Sequence, residues 1–192
     1  MKKNSYRIAV VPGDGIGQEV VPEAIKVLEV VGKKYSFSLE FESKDWGCER
    51  FKKFGSMMPN DGLNQIRHHD SILLGAVGFP GVPDHVSLWG LLIPIRREFE
   101  QYVNIRPVRL FEGMVCPLIG REPGSIDFWI VRENNEGEYS EIGGRLYGGT
   151  SEELVVQQSV FTRRGTDRII RYAFNLARTR LRKHVTSATK SN

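Results

Sequence analysis

The sequence predicts an α/β protein built on a parallel-rich mixed sheet with flanking helices. Three observations carry that expectation. Apolar runs of strand length alternate with segments of helical period through the first hundred residues or so. One of those runs, 71–77 (SILLGAV), is continuously apolar, the composition of a strand covered on both faces. The first strand meets the first helix through a glycine-rich turn.

Taken in order, residues 6–11 form the first strand and Pro12-Gly13-Asp14-Gly15-Ile16-Gly17 the turn. A helix follows over about 18–34, with Val20, Ala24, Val27, Leu28 and Val31 on one face and Pro22 tolerated in its first turn. Strand, glycine loop and helix can bring backbone N–H groups to a phosphate. The spacing G-x-G-x-G is neither the dinucleotide pattern nor the Walker pattern, so a tight βα turn explains it equally well. Residues 36–43 alternate Phe37, Leu39 and Phe41, a half-buried strand. A short helix is expected over 62–69. After strand 71–77, the stretch Gly78-Phe79-Pro80-Gly81-Val82-Pro83 must be loop.

A helix over 88–102, irregular around Pro94, carries Arg96 and Arg97. Strand 104–110 carries Arg106 and Arg109, and 112–125 is loop. Residues 126–131 are a dense β-branched and aromatic run, the composition of a buried strand. It stops at Arg132-Glu133-Asn134-Asn135-Glu136-Gly137-Glu138-Tyr139, polar throughout except for the glycine. Open α/β sheets bind ligands at such strand ends. Charged hairpin tips are also common, and spacing alone favours that reading. Residues 153–161 alternate, and a hairpin arm that pairs subunits is expected over about 140–162. The last helix, about 165–181, turns Ile169, Ile170, Ala173, Phe174, Ala177 and Leu181 inward and Arg168, Arg171, Arg178 and Arg182 outward. Residues 184–189 read as the start of another strand.

The 192 residues are 40% hydrophobic and 26% charged, an ordinary soluble composition. That length suffices for one domain or one and a half. A net charge of +4 suits acidic small molecules. No aromatic RNA-binding motif, zinc-finger spacing or arginine-rich tail accompanies it, so no nucleic-acid partner is expected. Cys48 and Cys116 have no CxxC partner and read as two free thiols in a reducing compartment. The apolar stretch after Met1-Lys2-Lys3 is cut off by Pro12-Gly13, too short for a signal peptide. No run reaches membrane-spanning length. A cytoplasmic protein with no membrane partner is expected.

Four segments together carry a resemblance. They are Val11-Pro12-Gly13-Asp14-Gly15-Ile16-Gly17-Gln18-Glu19-Val20, Leu74-Gly75-Ala76-Val77-Gly78, Arg96 with Arg106-Pro107, and Val131-Arg132-Glu133-Asn134 with Glu136-Gly137-Glu138-Tyr139. In this order the chain resembles the β-decarboxylating dehydrogenases, which act on isocitrate, isopropylmalate, tartrate or D-malate. Pro83-Asp84-His85-Val86-Ser87-Leu88-Trp89-Gly90 and Thr186-Ser187-Ala188-Thr189-Lys190-Ser191-Asn192 look most like the tartrate/D-malate branch. The resemblance implies an isopropylmalate-dehydrogenase-like fold. Residues 1–100 would be the N-terminal part of a large cofactor-binding domain. Residues 101–192 would be an incomplete second domain for substrate and dimerisation. Family members continue well past this length, so a truncated chain, the N-terminal half or slightly more, is expected.

The resemblance also implies chemistry. A 2-hydroxy diacid is oxidised by NAD and decarboxylated with help from Mn2+ or Mg2+, with K+ as a further cofactor candidate. Arg96, Arg106 and Arg132 match the family's carboxylate-binding arginines, a use suited to bidentate guanidinium geometry. Tyr139 matches the tyrosine that protonates the enol carbon. A phenol of ordinary pKa about 10 needs nearby cations for that task. Lys190 matches the lysine that removes the hydroxyl proton, supplied across a homodimer interface. Ile16 and Asn192 match cofactor-facing positions. Trp89, Leu92 and Ile93 occupy the region that meets the substituent on the substrate's third carbon, and bulky Trp89 favours a small one. The metal-binding aspartates lie further on in family members, so no metal ligand is assigned here, and this stretch alone is expected to be inactive. Two alternatives stay open: a non-catalytic subunit that binds diacids or a partner, and, within the family, an isopropylmalate dehydrogenase.

Overall fold

Ile8, Ala9, Val10 and Val11 are the deepest-buried run of the chain, and they form the middle of strand β1 (Ser5–Gly13). The structure is a computed structural model that describes residues 4–189. It divides into two units, Met1–Glu98 and Phe99–Asn192.

In the first unit β1 is the central strand of a three-stranded parallel sheet. Its neighbours are β2 (Ser38–Ser43) and β3 (Ser71–Ala76). Flanking on both sides suits the apolar middle of β1, and edge strand β2 alternates. β3 is also an edge strand and is only partly buried, so its apolar run does not mark the doubly covered strand its composition suggests. Helix α1 (Gly17–Tyr35) links β1 to β2, and the short helices α2 (Cys48–Phe54) and α3 (Gly62–Ile66) link β2 to β3. α1 packs Val21 and Ile25 onto Ile8, Val10, Leu39, Phe41 and Leu73.

This is not the helix face that the spacing of valines suggests. Val20 and Val27 are 48% and 62% exposed. The helix is rotated because its first residue lies against backbone. A Cβ on Gly17 would sit 2.1 Å from the Pro12 carbonyl oxygen and 2.7 Å from Ala76 N. Once position 17 faces the sheet, positions 21, 25, 28 and 32 follow it. Gly75 on β3 meets the same Pro12 oxygen, at 2.2 Å from where its Cβ would lie. These glycines are spent on close packing of a βα turn.

Several other expectations are corrected. Helix α2 has no counterpart in the sequence reading. The helix expected over 88–102 begins at α4 (Asp84–Ser87), widens into a π turn over Leu88–Leu92 and ends as α5 (Ile93–Glu98). The wide turn comes immediately before Pro94, which has no N–H for the helix ladder.

In the second unit β4 (Val103–Arg109) pairs antiparallel with β5 (Asp127–Glu133). β6 (Gly137–Leu146) and β7 (Leu154–Val160) form a separate antiparallel hairpin. Helix α6 (Arg163–Arg178) starts at Thr162, whose hydroxyl accepts from Gly165 N. β5 is not the buried strand its composition suggests: Phe128, Trp129 and Ile130 are exposed. It has one strand neighbour, and α6 lies against one of its faces. In α6 the inward stripe holds Gly165, Arg168, Ile169, Tyr172, Leu176 and Ala177, while Ile170 and Phe174, and Leu181 beyond the end of the helix, are exposed. Arg168 sets that rotation through its ion pair with Glu133, 2.9 Å. Residues 184–189 take no regular structure.

Gly75→Ala should lower stability by about 1–3 kcal/mol through backbone overpacking. Val27→Ser, on the exposed face, should change it by less than about 0.5 kcal/mol. Thermal or urea unfolding reads both, and a larger loss for Val27→Ser would contradict the helix orientation.

Candidate active site

Side chains alternate along a strand, so residues two apart share a face, as do residues directly opposite across a ladder. Asn104 pairs with Arg132, and Arg106 with Ile130. Asn104, Arg106 and Arg132 therefore stand on one face of the β4–β5 ribbon, beside Val108, Phe128 and Ile130. The opposite face is occupied by the helix side. There Arg168 pairs with Glu133, and Arg180 lies 3.7 Å from the Asp127 carboxylate and 4.9 Å over the Trp129 ring. The arginine face is the one α6 leaves uncovered.

On that face Arg106 Nε donates to Asn104 Oδ1 at 3.0 Å. Arg132 Nη2 donates to Tyr139 Oη at 2.9 Å, with the guanidinium 5.1 Å from the ring centroid. The strand end thus brings Arg132 and Tyr139 together, seven residues apart along the chain.

The polar residues between them build the turn. Glu133 Oε2 accepts from the backbone N–H groups of Asn135 and Glu136, at 2.8 and 2.7 Å, while its Oε1 accepts from Arg168. Asn134, 4% exposed, is tied through its Nδ2 to the Gln101 carbonyl and through its N–H to that of Tyr102. Glu136 accepts from the Thr162 N–H and hydroxyl, at 2.8 and 2.6 Å, beside the start of α6. Burial works to raise the Glu136 pKa, but the two Thr162 hydrogen bonds and the Arg168 and Arg164 charges hold it below the ordinary value of 4.5. In the charged run Glu133, Asn134 and Glu136 hold the turn, while Arg132 and Tyr139 are bonded to each other.

In the first unit Arg96 is half-buried on α5, and Arg97 lies 5.3 Å over the Trp89 ring. Trp89 and Leu92 are half-buried, whereas Ile93 is 1% exposed and belongs to the core. Ile16 is exposed at the start of α1. Lys190 and Asn192 lie outside the described residues. Among the described residues no three His, Cys, Asp or Glu side chains stand close enough to hold a metal ion.

One residue of consequence escaped the sequence reading. Asp14, 3% exposed, accepts from Cys48 N at 2.8 and 3.0 Å, from Glu49 N at 3.4 Å and from Gly78 N at 3.1 Å. It ties the glycine turn to the start of α2 and to the loop after β3. The signal was only an acid between two glycines, which spacing rules do not flag. Burial, then the Asp14 carboxylate, push the Cys48 thiol up to about 11. Cys48 is buried and Cys116 half-buried, both free thiols.

Two expectations follow. A thiol reagent should label Cys116 in the folded protein and reach Cys48 only on unfolding; equal labelling rates would contradict the buried assignment. Glu136, with its folded pKa lowered, contributes stability that is present above pH 4.5 and lost as pH falls through the lowered value. The stability gap between wild type and Glu136→Gln should therefore shrink from about pH 6 to about pH 3. A gap independent of pH in urea unfolding would contradict it.

No helix among the described residues is long and apolar enough to cross a membrane. The family described as isocitrate/isopropylmalate dehydrogenase matches residues 7–192. The chain is 60% identical over 190 residues to D-malate dehydrogenase (decarboxylating) of Escherichia coli (strain K12), covering 98% of this chain and 53% of that protein. It is 57% identical over 194 residues to tartrate dehydrogenase/decarboxylase of Pseudomonas putida, covering 100% and 53%. The crystal structure of isocitrate dehydrogenase from Methylococcus capsulatus superposes with a TM-score of 0.73 at 30% identity, covering 90% of this chain and 48% of that one. The chain spans about half the length of the curated relatives it matches. A match that runs from Arg7 to the last residue, on the same α/β fold, shows that the chain belongs to the isocitrate/isopropylmalate dehydrogenase family.

Proposed function

We propose that the chain carries substrate-binding and proton-transfer residues of an NAD- and divalent-metal-dependent oxidoreductase. Its substrate is a small 2-hydroxy diacid: D-malate, oxidised and decarboxylated to pyruvate and CO2, or tartrate. The observation that carries this reading is the 2.9 Å bond from Arg132 to Tyr139, on a face shared with Arg106.

A dianion leaving water needs fixed cations, and guanidinium groups match carboxylates in shape as well as charge. Arg106 and Arg132 supply two on one strand face, and Arg96 is assigned as a third. Tyr139 Oη accepts from Arg132, so its own proton is directed to another acceptor. When the carboxyl group leaves as CO2, its bonding electrons pass into an enolate. The Tyr139 hydroxyl then gives its proton to the enolate carbon, forming the methyl C–H bond of pyruvate and leaving a phenolate beside the Arg132 guanidinium. Bound NAD would supply the hydride acceptor for the preceding oxidation, and Lys190, from the second subunit of a homodimer, is assigned to take the hydroxyl proton. Ile16 and Asn192 are assigned to the cofactor.

Trp89 and Leu92, backed by buried Ile93, favour a third carbon with little on it, which sets malate and tartrate ahead of isopropylmalate. The Mn2+ or Mg2+ is assigned to the aspartates that lie further along family members, with K+ as an accessory ion. The β6–β7 arm exposes Ile142, Leu146, Leu154, Val155 and Val156. A lone hairpin of this kind is marginal in water, which supports pairing with a second copy. Two free thiols suit a cytoplasmic setting.

The test is NADH formation at 340 nm by the full-length product, with NAD+, Mn2+, K+ and each diacid in turn. D-malate or tartrate should be turned over. Tyr139→Phe should lower kcat by about 10²–10⁴-fold, the worth of a general acid. Arg132→Gln should lower kcat/KM by at least about 30-fold, as expected for an uncompensated charge pair. Faster turnover of 3-isopropylmalate, or near-normal activity of both variants, would overturn the proposal.

A further inference from the structure

We infer that Asn104 is a positioning residue that aims Arg106 at the substrate, by occupying its Nε so that the two terminal nitrogens are presented to a carboxylate. The inference rests on the diacid reading and adds a residue to it.

A guanidinium can grip a carboxylate along its side edge, through Nε and one Nη, or along its end, through both Nη atoms. Arginine nitrogens only donate, so the Asn104 atom 3.0 Å from Arg106 Nε is the carbonyl oxygen. That bond uses the side edge and leaves the end edge for a ligand. It also fixes a long, exposed side chain before substrate arrives, which lowers the ordering cost at binding.

The place of Asn104 in the ladder matters as much as the bond. It stands two residues before Arg106 on the same face and directly opposite Arg132. A neutral acceptor sits between the two cations and holds one of them without cancelling its charge. An aspartate there would hold Nε at least as firmly but would repel the dianion. The asparagine thus supplies orientation while conserving the positive field.

The experiment is a double-mutant cycle, reading D-malate binding to the full-length protein by titration calorimetry, with steady-state kinetics alongside. Asn104→Leu, similar in size but without an acceptor, should weaken D-malate binding about tenfold, the scale of one lost net hydrogen bond to a charged group. It should raise KM more than it lowers kcat. In an Arg106→Ala background the same change should have little further effect, because its action passes through Arg106. Asn104→Asp should also weaken binding, and added salt should narrow its gap from wild type. Binding by Asn104→Leu equal to wild type, or a loss that adds in full to that of Arg106→Ala, would overturn the positioning role. Either result would leave the diacid reading intact provided Arg132→Gln still abolishes binding. Wild-type protein that binds D-malate no better than Arg132→Gln would overturn both.

Discussion

The second unit depends on the register between β4 and β5. Shifting a strand by one residue exchanges its two faces. Arg132 would then turn toward α6, and Glu133 toward the open side. The register is held from several directions. Glu133 is paired to Arg168 and Asp127 to Arg180, near opposite ends of β5. Just beyond the ladder, Asn134 is bonded to the carbonyls of Gln101 and Tyr102. The Glu133–Arg168 pair is largely buried, so loss of either partner would strand the other charge at a cost well above that of a surface pair. A helix that contributes no assigned catalytic residue thus decides which way the arginines point.

In the first unit the comparable anchor is Asp14. Its carboxylate takes up N–H groups from the start of α2 and from Gly78. Gly17 and Gly75 close on the Pro12 carbonyl from two sides. The glycine turn is therefore a junction of sheet, helix and loop rather than an open cradle. Exposed Ile16 projects from a junction held on all sides, which suits a residue assigned to meet a cofactor.

Strand existence was largely legible in the sequence: burial on both faces leaves an apolar run such as 8–11, and 71–77 is equally apolar although β3 is an edge strand with no fully buried residue. Helix existence was legible for α1 and α6, but their orientations were not. Rotation is set by a few contacts, Gly17 against Pro12 in one helix and Arg168 against Glu133 in the other, and neither follows from counting valines or isoleucines. The composition of β5 marked a strand without saying what would cover it. α2, seven residues long, was too short for its periodicity to register. In the site, Arg106, Arg132 and Tyr139 were legible through the family resemblance. Their local chemistry gave only a charged cluster at a strand end. The Asn104–Arg106 bond was not flagged, because an asparagine two before an arginine is no motif, and its place opposite Arg132 exists only once β4 is paired with β5. Asp14 was hidden for the same reason: its partners lie 34 to 64 positions away.

The central claim is that Arg106, Arg132 and Tyr139 act as one diacid-binding face. The most direct measurement is an NMR titration of D-malate into protein carrying 15N-labelled arginine and 13C-labelled tyrosine. The account predicts that the Nε–H signals of Arg106 and Arg132 and the ring signals of Tyr139 shift together on one saturating curve. Arg145, on the hairpin, should stay still. Separate saturation of the two arginines, or a Tyr139 signal that does not move, would contradict it.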